Sequence, residues 1–202
     1  MPGDPKAQTR FEEAIVFAHR LHAGQVRKAS NTPYIAHLLS VASLVLEAGG
    51  SQDEAVAALL HDAVEDQGGR EVLAEIRRRF GDAVARIVEG CSDTDRTPKP
   101  PWRERKVSFI ASLADATPEV RRVTAADKLH NVLSLLWDYR KSGDTIWDVF
   151  NGGKEGTLWY YREVACALGR DADAPLAQEL SRAVAELDSL VDSPTGGDAS
   201  PP

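Results

Sequence analysis

Apolar residues in this chain recur at intervals of three and four, and almost nowhere at two. Phe11, Ala14, Ile15, Ala18 and Leu21 begin the pattern, and Ile35, Leu38, Leu39, Ala42, Val45 and Leu46 repeat it. Val123, Ala126, Leu129, Val132, Leu133 and Leu136 carry it again, and a last amphipathic stretch runs from Leu176 to Leu190. A period near 3.6 puts such residues on one face of a helix, whereas a half-buried strand needs strict alternation. No segment meets the second condition, so the fold class is predicted to be all-α. Gly24, Gly49-Gly50 and Gly68-Gly69 punctuate the helices, as glycines past a helix end commonly do. Ser51 followed by Glu54 has the spacing of a capping box. Val72 to Phe80 and Ala83 to Cys91 read as two short helices around Gly81, and Pro118 opens a further helix at its first turn.

With 202 residues, one domain with a sizeable core is expected. The boundaries read as a flexible arm over 1–8, a single domain over 9–191, and a disordered tail over 192–202 rich in Ser, Gly, Pro and Asp. The formal net charge of −7 argues against sequence-independent binding to nucleic acid, which needs a basic surface. It leaves room for an anionic small ligand, because a few cations can line one pocket. Two distant cysteines, Cys91 and Cys166, form no disulfide framework and no CxxC pair. With no signal-peptide pattern and no apolar run near the roughly 20 residues of a membrane span, a cytoplasmic location and no membrane partner are expected. Oligomeric state is not legible.

The most informative stretch is Ala57-Ala58-Leu59-Leu60-His61-Asp62-Ala63-Val64-Glu65-Asp66. An apolar run leads straight into an imidazole and three carboxylates. On one continuous helix at about 100° per residue, these four would share an arc of roughly 140°. Three carboxylates this close repel one another, and a divalent cation is the simplest partner that makes the cluster tolerable. His37 and Asp127 lie on other predicted helices, each among apolar neighbours that draw it inward. Together with His61 and Asp62 they make a mixed set of two imidazoles and two carboxylates. With positions left for water and substrate, such a set suits Mn²⁺, Fe²⁺ or Mg²⁺ better than a closed structural zinc site.

His61-Asp62 is the signature pair of the HD phosphohydrolase superfamily. Four motifs then stand in order: His22-Ala23-Gly24-Gln25-Val26-Arg27-Lys28; Pro33-Tyr34-Ile35-Ala36-His37; Ala58 to Asp66; and Ala126-Asp127-Lys128-Leu129-His130-Asn131. In these motifs the chain resembles the hydrolase domain of RelA/SpoT proteins and the free-standing small alarmone hydrolases, from Ala14 to about Leu168. The resemblance implies a single HD-domain helical bundle. It implies a Mn²⁺-dependent 3′-pyrophosphohydrolase of hyperphosphorylated guanosine nucleotides, yielding GDP or GTP and pyrophosphate. By the same resemblance His37, His61, Asp62 and Asp127 hold the metal, and Glu65 and Asp66 activate water. Arg27 and Lys28 neutralise the pyrophosphate, and Asn131, Tyr161 and Arg162 contact substrate. Lys99 and Lys106 bracket a stretch that reaches the phosphates in relatives.

The chain departs from the family pattern at Leu38, Gln67, Cys91-Ser92-Asp93 and the Arg27–Asn31 loop. None of these removes a ligand, and they leave the preferred base open. The alternatives are an HD enzyme for another nucleotide (an adenosine-type alarmone, a deoxynucleotide or NADPH) and a non-catalytic nucleotide sensor. An antitoxin-like role beside a toxic synthetase is compatible with the enzyme.

Overall fold

The structure is a computed structural model that describes residues 5–94, 98–169 and 174–193. Its helices are α1 (Pro5–Leu21), α2 (Ile35–Glu47), α3 (Gln52–Leu60), α4 (Ala63–Gln67), α5 (Gly69–Cys91), α6 (Trp102–Ser112), α7 (Pro118–Ser142), α8 (Gly153–Leu168) and α9 (Pro175–Asp192), with a 3₁₀ turn over Gly143–Val149. Among the described residues there is no strand, only one isolated antiparallel bridge between Val26 and Pro33. The all-α reading holds. No helix among them is long and apolar enough to cross a membrane. The stretch read as an arm is helical from Pro5, and residues 194–202 of the expected tail lie outside the described residues.

The short helix α3 is the axis of the bundle. Ala55 through Leu60 are all fully buried, and α3 packs against α1, α2, α5 and α7. Three alanines among its buried residues let neighbouring backbones come close. Its start is set locally: the Ser51 hydroxyl accepts from the Glu54 amide at 3.3 Å, and the Glu54 carboxylate accepts from the Ser51 amide at 2.7 Å. The other Glu54 oxygen receives the Arg122 guanidinium of α7, which joins the two helices that carry the site. The long helix α7 begins with Thr117 accepting from the Val120 amide and Pro118 at its first turn. On its far side α9 packs along it.

At Gly81, φ is +88° and ψ 169°, outside the helical region, so α5 is two helical segments joined at this glycine, as expected. A departure concerns the cluster itself. The helix expected to run from Ser51 to Gln67 stops at Leu60, turns through His61 and Asp62, and restarts at Ala63. Asp62 sits at φ −91° and ψ −5°, the sparsely allowed bridge region that active-site residues often occupy. The four polar side chains therefore do not share one continuous helical face.

Candidate metal and phosphate site

The break in the helix is what lets the ligand set converge. His37 comes from the first turn of α2, His61 and Asp62 from the turn after α3, and Asp127 from the middle of α7. Because α2, α3 and α7 pack on one another, these side chains meet in the interior. One Asp127 oxygen, Oδ1, lies 3.3 Å from His37 Nε2 and 3.5 Å from His61 Nε2. Asp62 Oδ2 lies 3.0 Å from His61 Nε2 and 3.6 Å from His37 Nε2. Both Nε2 atoms are buried without an aligned hydrogen bond. Ligand atoms of His37, His61 and Asp127 all fall within 4.8 Å of one another. Two orphaned imidazole nitrogens facing two carboxylates are the donor set that a divalent cation satisfies, so the residues fit a metal.

Surrounding groups fix the orientation of each ligand. His61 Nδ1 lies 2.7 Å from the Ala58 carbonyl, which requires a proton on Nδ1 and leaves Nε2 as the free lone pair. His37 Nδ1 meets His130 Nδ1 at 2.8 Å. Tyr34 donates its phenol to Asp62 Oδ2 at 2.6 Å. Asp127 accepts from Lys128 Nζ and Asn131 Nδ2, both at 2.5 Å. Such outer partners set ligand direction in metal sites. Burial works against charge on Asp62 and Asp127, but the neighbouring imidazoles, and Lys128 for Asp127, outweigh it and hold both carboxyls well below their usual range. For His61, burial is likewise outweighed by the two carboxylates, which raise its affinity for a proton. A site that draws a proton this strongly draws a cation for the same reason.

Glu65 and Asp66 follow on α4, one turn beyond the break. Gln25 donates through Nε2 to Asp66 Oδ2 at 2.9 Å, and its Oε1 accepts from Gln67 Nε2 at 2.5 Å. Glu65 Oε1 lies 3.3 Å from both Lys99 Nζ and Arg105 Nη1. Arg105 in turn grips both oxygens of buried Asp93, at 2.7 and 2.5 Å, and Lys106 donates to the same carboxylate at 2.7 Å. Burial, and next the Asp93 charge, push the Glu65 carboxyl up. This is the direction that moves a carboxylate toward work as a proton acceptor near neutrality.

A cavity of about 320 Å³ opens over these groups. Arg27, Lys28, Asp62, Glu65, Asp66, Asp127, Asn131 and Tyr161 all line it, and His37 and His61 lie behind. Arg27 donates to Asn131 Oδ1 at 2.8 Å, so a relay runs from the loop cation through Asn131 to Asp127. Arg162 needs correction. Its guanidinium pairs with Asp188 of α9 at 2.8 and 2.9 Å and does not reach the cavity. On a helix the step of 100° from Tyr161 carries the next residue to the outer face. Further groups line it: Gln25, Tyr34 and Lys128 from within the quoted motifs, and Trp102, Arg105 and Tyr160 from outside them. Lys106, expected near the phosphates, lines the cavity, and Arg105 stands beside it in the basic run Arg103-Glu104-Arg105-Lys106. No local signal marked Asp93.

An all-helical bundle in which a His-Asp pair meets a second histidine and a distant aspartate defines the HD class. The chain belongs to the HD-domain family, whose domain matches residues 14–158. Among curated proteins it is 40% identical over 126 residues to human guanosine-3′,5′-bis(diphosphate) 3′-pyrophosphohydrolase, covering 61% of this chain and 68% of that one. It is 35% identical over 140 residues to the Aquifex aeolicus protein of the same activity name, covering 68% of this chain and 19% of the other. A Streptomyces coelicolor GTP pyrophosphokinase is 36% identical over 140 residues, which is 66% of this chain but only 16% of that protein. The chain thus spans about a sixth of the long bacterial relatives it matches. Among solved structures, a metazoan SpoT ortholog described as hydrolysing ppGpp superposes with a TM-score of 0.73 at 26% identity, covering 88% of this chain and 95% of that one. A Listeria monocytogenes protein superposes with a TM-score of 0.67 at 30% identity, covering 76% and 99%.

Proposed function

We propose that this chain is a metal-dependent 3′-pyrophosphohydrolase of guanosine tetra- or pentaphosphate. The observation that carries the reading is the meeting of two unsatisfied imidazole nitrogens with Asp62 and Asp127, beside Glu65, on the floor of a cation-lined cavity. The relatives named for this activity support the substrate class.

In this reading His37, His61, Asp62 and Asp127 hold Mn²⁺, with Fe²⁺ or Mg²⁺ as substitutes. When bound, such a cation acidifies a water molecule and offsets phosphate charge. Glu65 accepts the proton of the attacking water, and Asp66, held by Gln25, completes the acidic pair. Water adds to the phosphorus attached to the 3′ oxygen. The bond from that phosphorus to the 3′ oxygen breaks, the 3′ oxygen takes up a proton, and pyrophosphate leaves. Arg27 and Lys28 face the departing pyrophosphate from the loop before α2. Arg105, Lys106 and Lys128 supply positive charge from the opposite wall. Asn131 and Tyr161 border the nucleotide. One HD domain, α1 through α9, carries all of this, and a reducing cytoplasm suits its two unpaired cysteines.

The test is turnover of guanosine 3′,5′-bis(diphosphate) by purified protein with Mn²⁺, followed by chromatography beside deoxynucleotides, NADPH and the adenosine analogue. The expected result is GDP and pyrophosphate. Cleavage of another nucleotide with the guanosine substrate untouched would overturn the substrate. Binding of the guanosine substrate without turnover of any nucleotide would make the chain a sensor.

A further inference from the structure

The face of α7 that carries Asp127 and Asn131 runs on through Ser134 to Asp138, in steps of four, three and four. All four residues line the cavity. Eleven residues of helix rise about 16 Å, so Asp138 stands at the end of the cavity remote from the metal ligands. There Arg27, Ala29, Ser134 and Asp138 also border a second, more open cleft of about 890 Å³. Asp138 is half-buried, and among the described residues it has no hydrogen bond and no ion pair. The loop cation that borders both spaces, Arg27, donates to Asn131 at 2.8 Å.

An unpaired carboxylate in a cavity for a polyanion repels phosphate. Against a nucleotide it is favourable only beside hydrogen-bond donors, which lie on the ribose hydroxyl, next to the 3′ phosphates at the metal end, and on the base. A carboxylate offers two acceptor oxygens side by side and no donor. Guanine matches it with two adjacent donors, the N1–H and the 2-amino group. Adenine sets one amino donor beside the N1 acceptor, whose lone pair the carboxylate repels. Inosine keeps the N1–H and lacks the amino group.

We infer that Asp138 reads the base edge of the nucleotide and makes the site select guanine. The inference rests on the nucleotide-hydrolase reading above, since it takes the phosphates to lie at the metal end. A site built to bond a particular polar group rejects ligands that lack it more strongly than a shape-matched apolar pocket does.

The experiment compares guanosine, inosine and adenosine 3′,5′-bis(diphosphate) on the native protein, Asp138→Ala and Asp138→Asn. It measures kcat/KM for each, and the affinity for GDP, IDP and ADP by calorimetry. The native protein should prefer guanosine to inosine and inosine to adenosine. In Asp138→Ala the guanosine-to-adenosine ratio should fall by about tenfold to a hundredfold, and the guanosine-to-inosine ratio should approach one. Asp138→Asn, which can offer adenine an acceptor and a donor, should lower the guanosine-to-adenosine ratio further. A variant that slows all three substrates alike, or leaves every ratio as it was, overturns the inference. So does a native protein with no base preference. If the native protein cleaves none of the three, the hydrolase reading fails by itself, and the diphosphate affinities still decide whether Asp138 selects the base.

Discussion

Tyr34 donates its phenol to Asp62 at 2.6 Å, on the same carboxylate oxygen that lies 3.0 Å from His61 Nε2. Tyr34 also stacks on His22, ring centroids 5.1 Å apart. One half-buried tyrosine thus ties the loop before α2 to the acidic ligand at the helix break. Removing the hydroxyl leaves Asp62 free to rotate. Tyr34→Phe should weaken Mn²⁺ binding by about tenfold or more, as losses of outer partners do. Calorimetric titration of the metal-free protein checks it, and native affinity in the variant would refute it.

Metal removal should destabilise the fold, because the ligands join α2, α7 and the turn after α3. Chelation should lower Tm, and Mn²⁺ at about a hundred times its Kd should restore about 2.7 kcal/mol. His61→Ala and Asp127→Asn should abolish the Mn²⁺-dependent shift in Tm. A shift that survives either change would place the ion elsewhere.

Glu65→Gln should reduce kcat by about 10²- to 10⁴-fold while metal affinity stays near native. The pH dependence follows from the upward shift of the Glu65 carboxyl. A base must be unprotonated, so activity rises with pH through the Glu65 titration and is lost below it. The groups facing Glu65 are Asp93, Asp62, Lys106, Lys99 and Arg105. Asp93→Asn removes the negative charge that raises the titration and frees Arg105 and Lys106 to face Glu65. Both changes favour the ionised form, so the acidic limb of log kcat against pH should move to lower pH. A limb that stays in place in Asp93→Asn would show that Glu65 does not govern it.

The two thiols should differ in reactivity. Burial pushes the Cys91 thiol up to about 11, and it bonds weakly to the Val120 carbonyl and Thr124. Cys166 is exposed. Since the thiolate is the nucleophile, iodoacetamide near neutral pH should label Cys166 and spare Cys91 in the folded protein. Peptide mass mapping reads the outcome, and equal labelling would contradict the packing around Cys91.

Much of the local structure was legible because it depends on neighbours in sequence. The capping box at Ser51 and Glu54, the proline-led start of α7 and the turn at Gly81 are all short-range events. The break at His61-Asp62 was not legible, since the apolar period runs on through Ala63 and Val64 and favours one continuous helix. Arg162 was misplaced for a related reason. The match to a region of relatives said nothing of its outward phase on α8, nor of Asp188 on α9, which takes its guanidinium. The pairing of Asp93 with Arg105 and Lys106 joins residues twelve and thirteen apart, from just past α5 to α6, and no local rule dictates it.

The sequence by itself determined that the chain is helical and most of the apolar face of each helix, though Leu39, Leu46 and Leu133 of the expected faces are exposed. It also determined which side-chain types offer ligand and proton-transfer atoms, because helix periodicity and side-chain type are local properties. Only the tertiary structure decided which of those side chains meet. That depends on how α2, α3 and α7 interlock, and packing between distant helices is set by the shapes of side chains that are far apart in the chain.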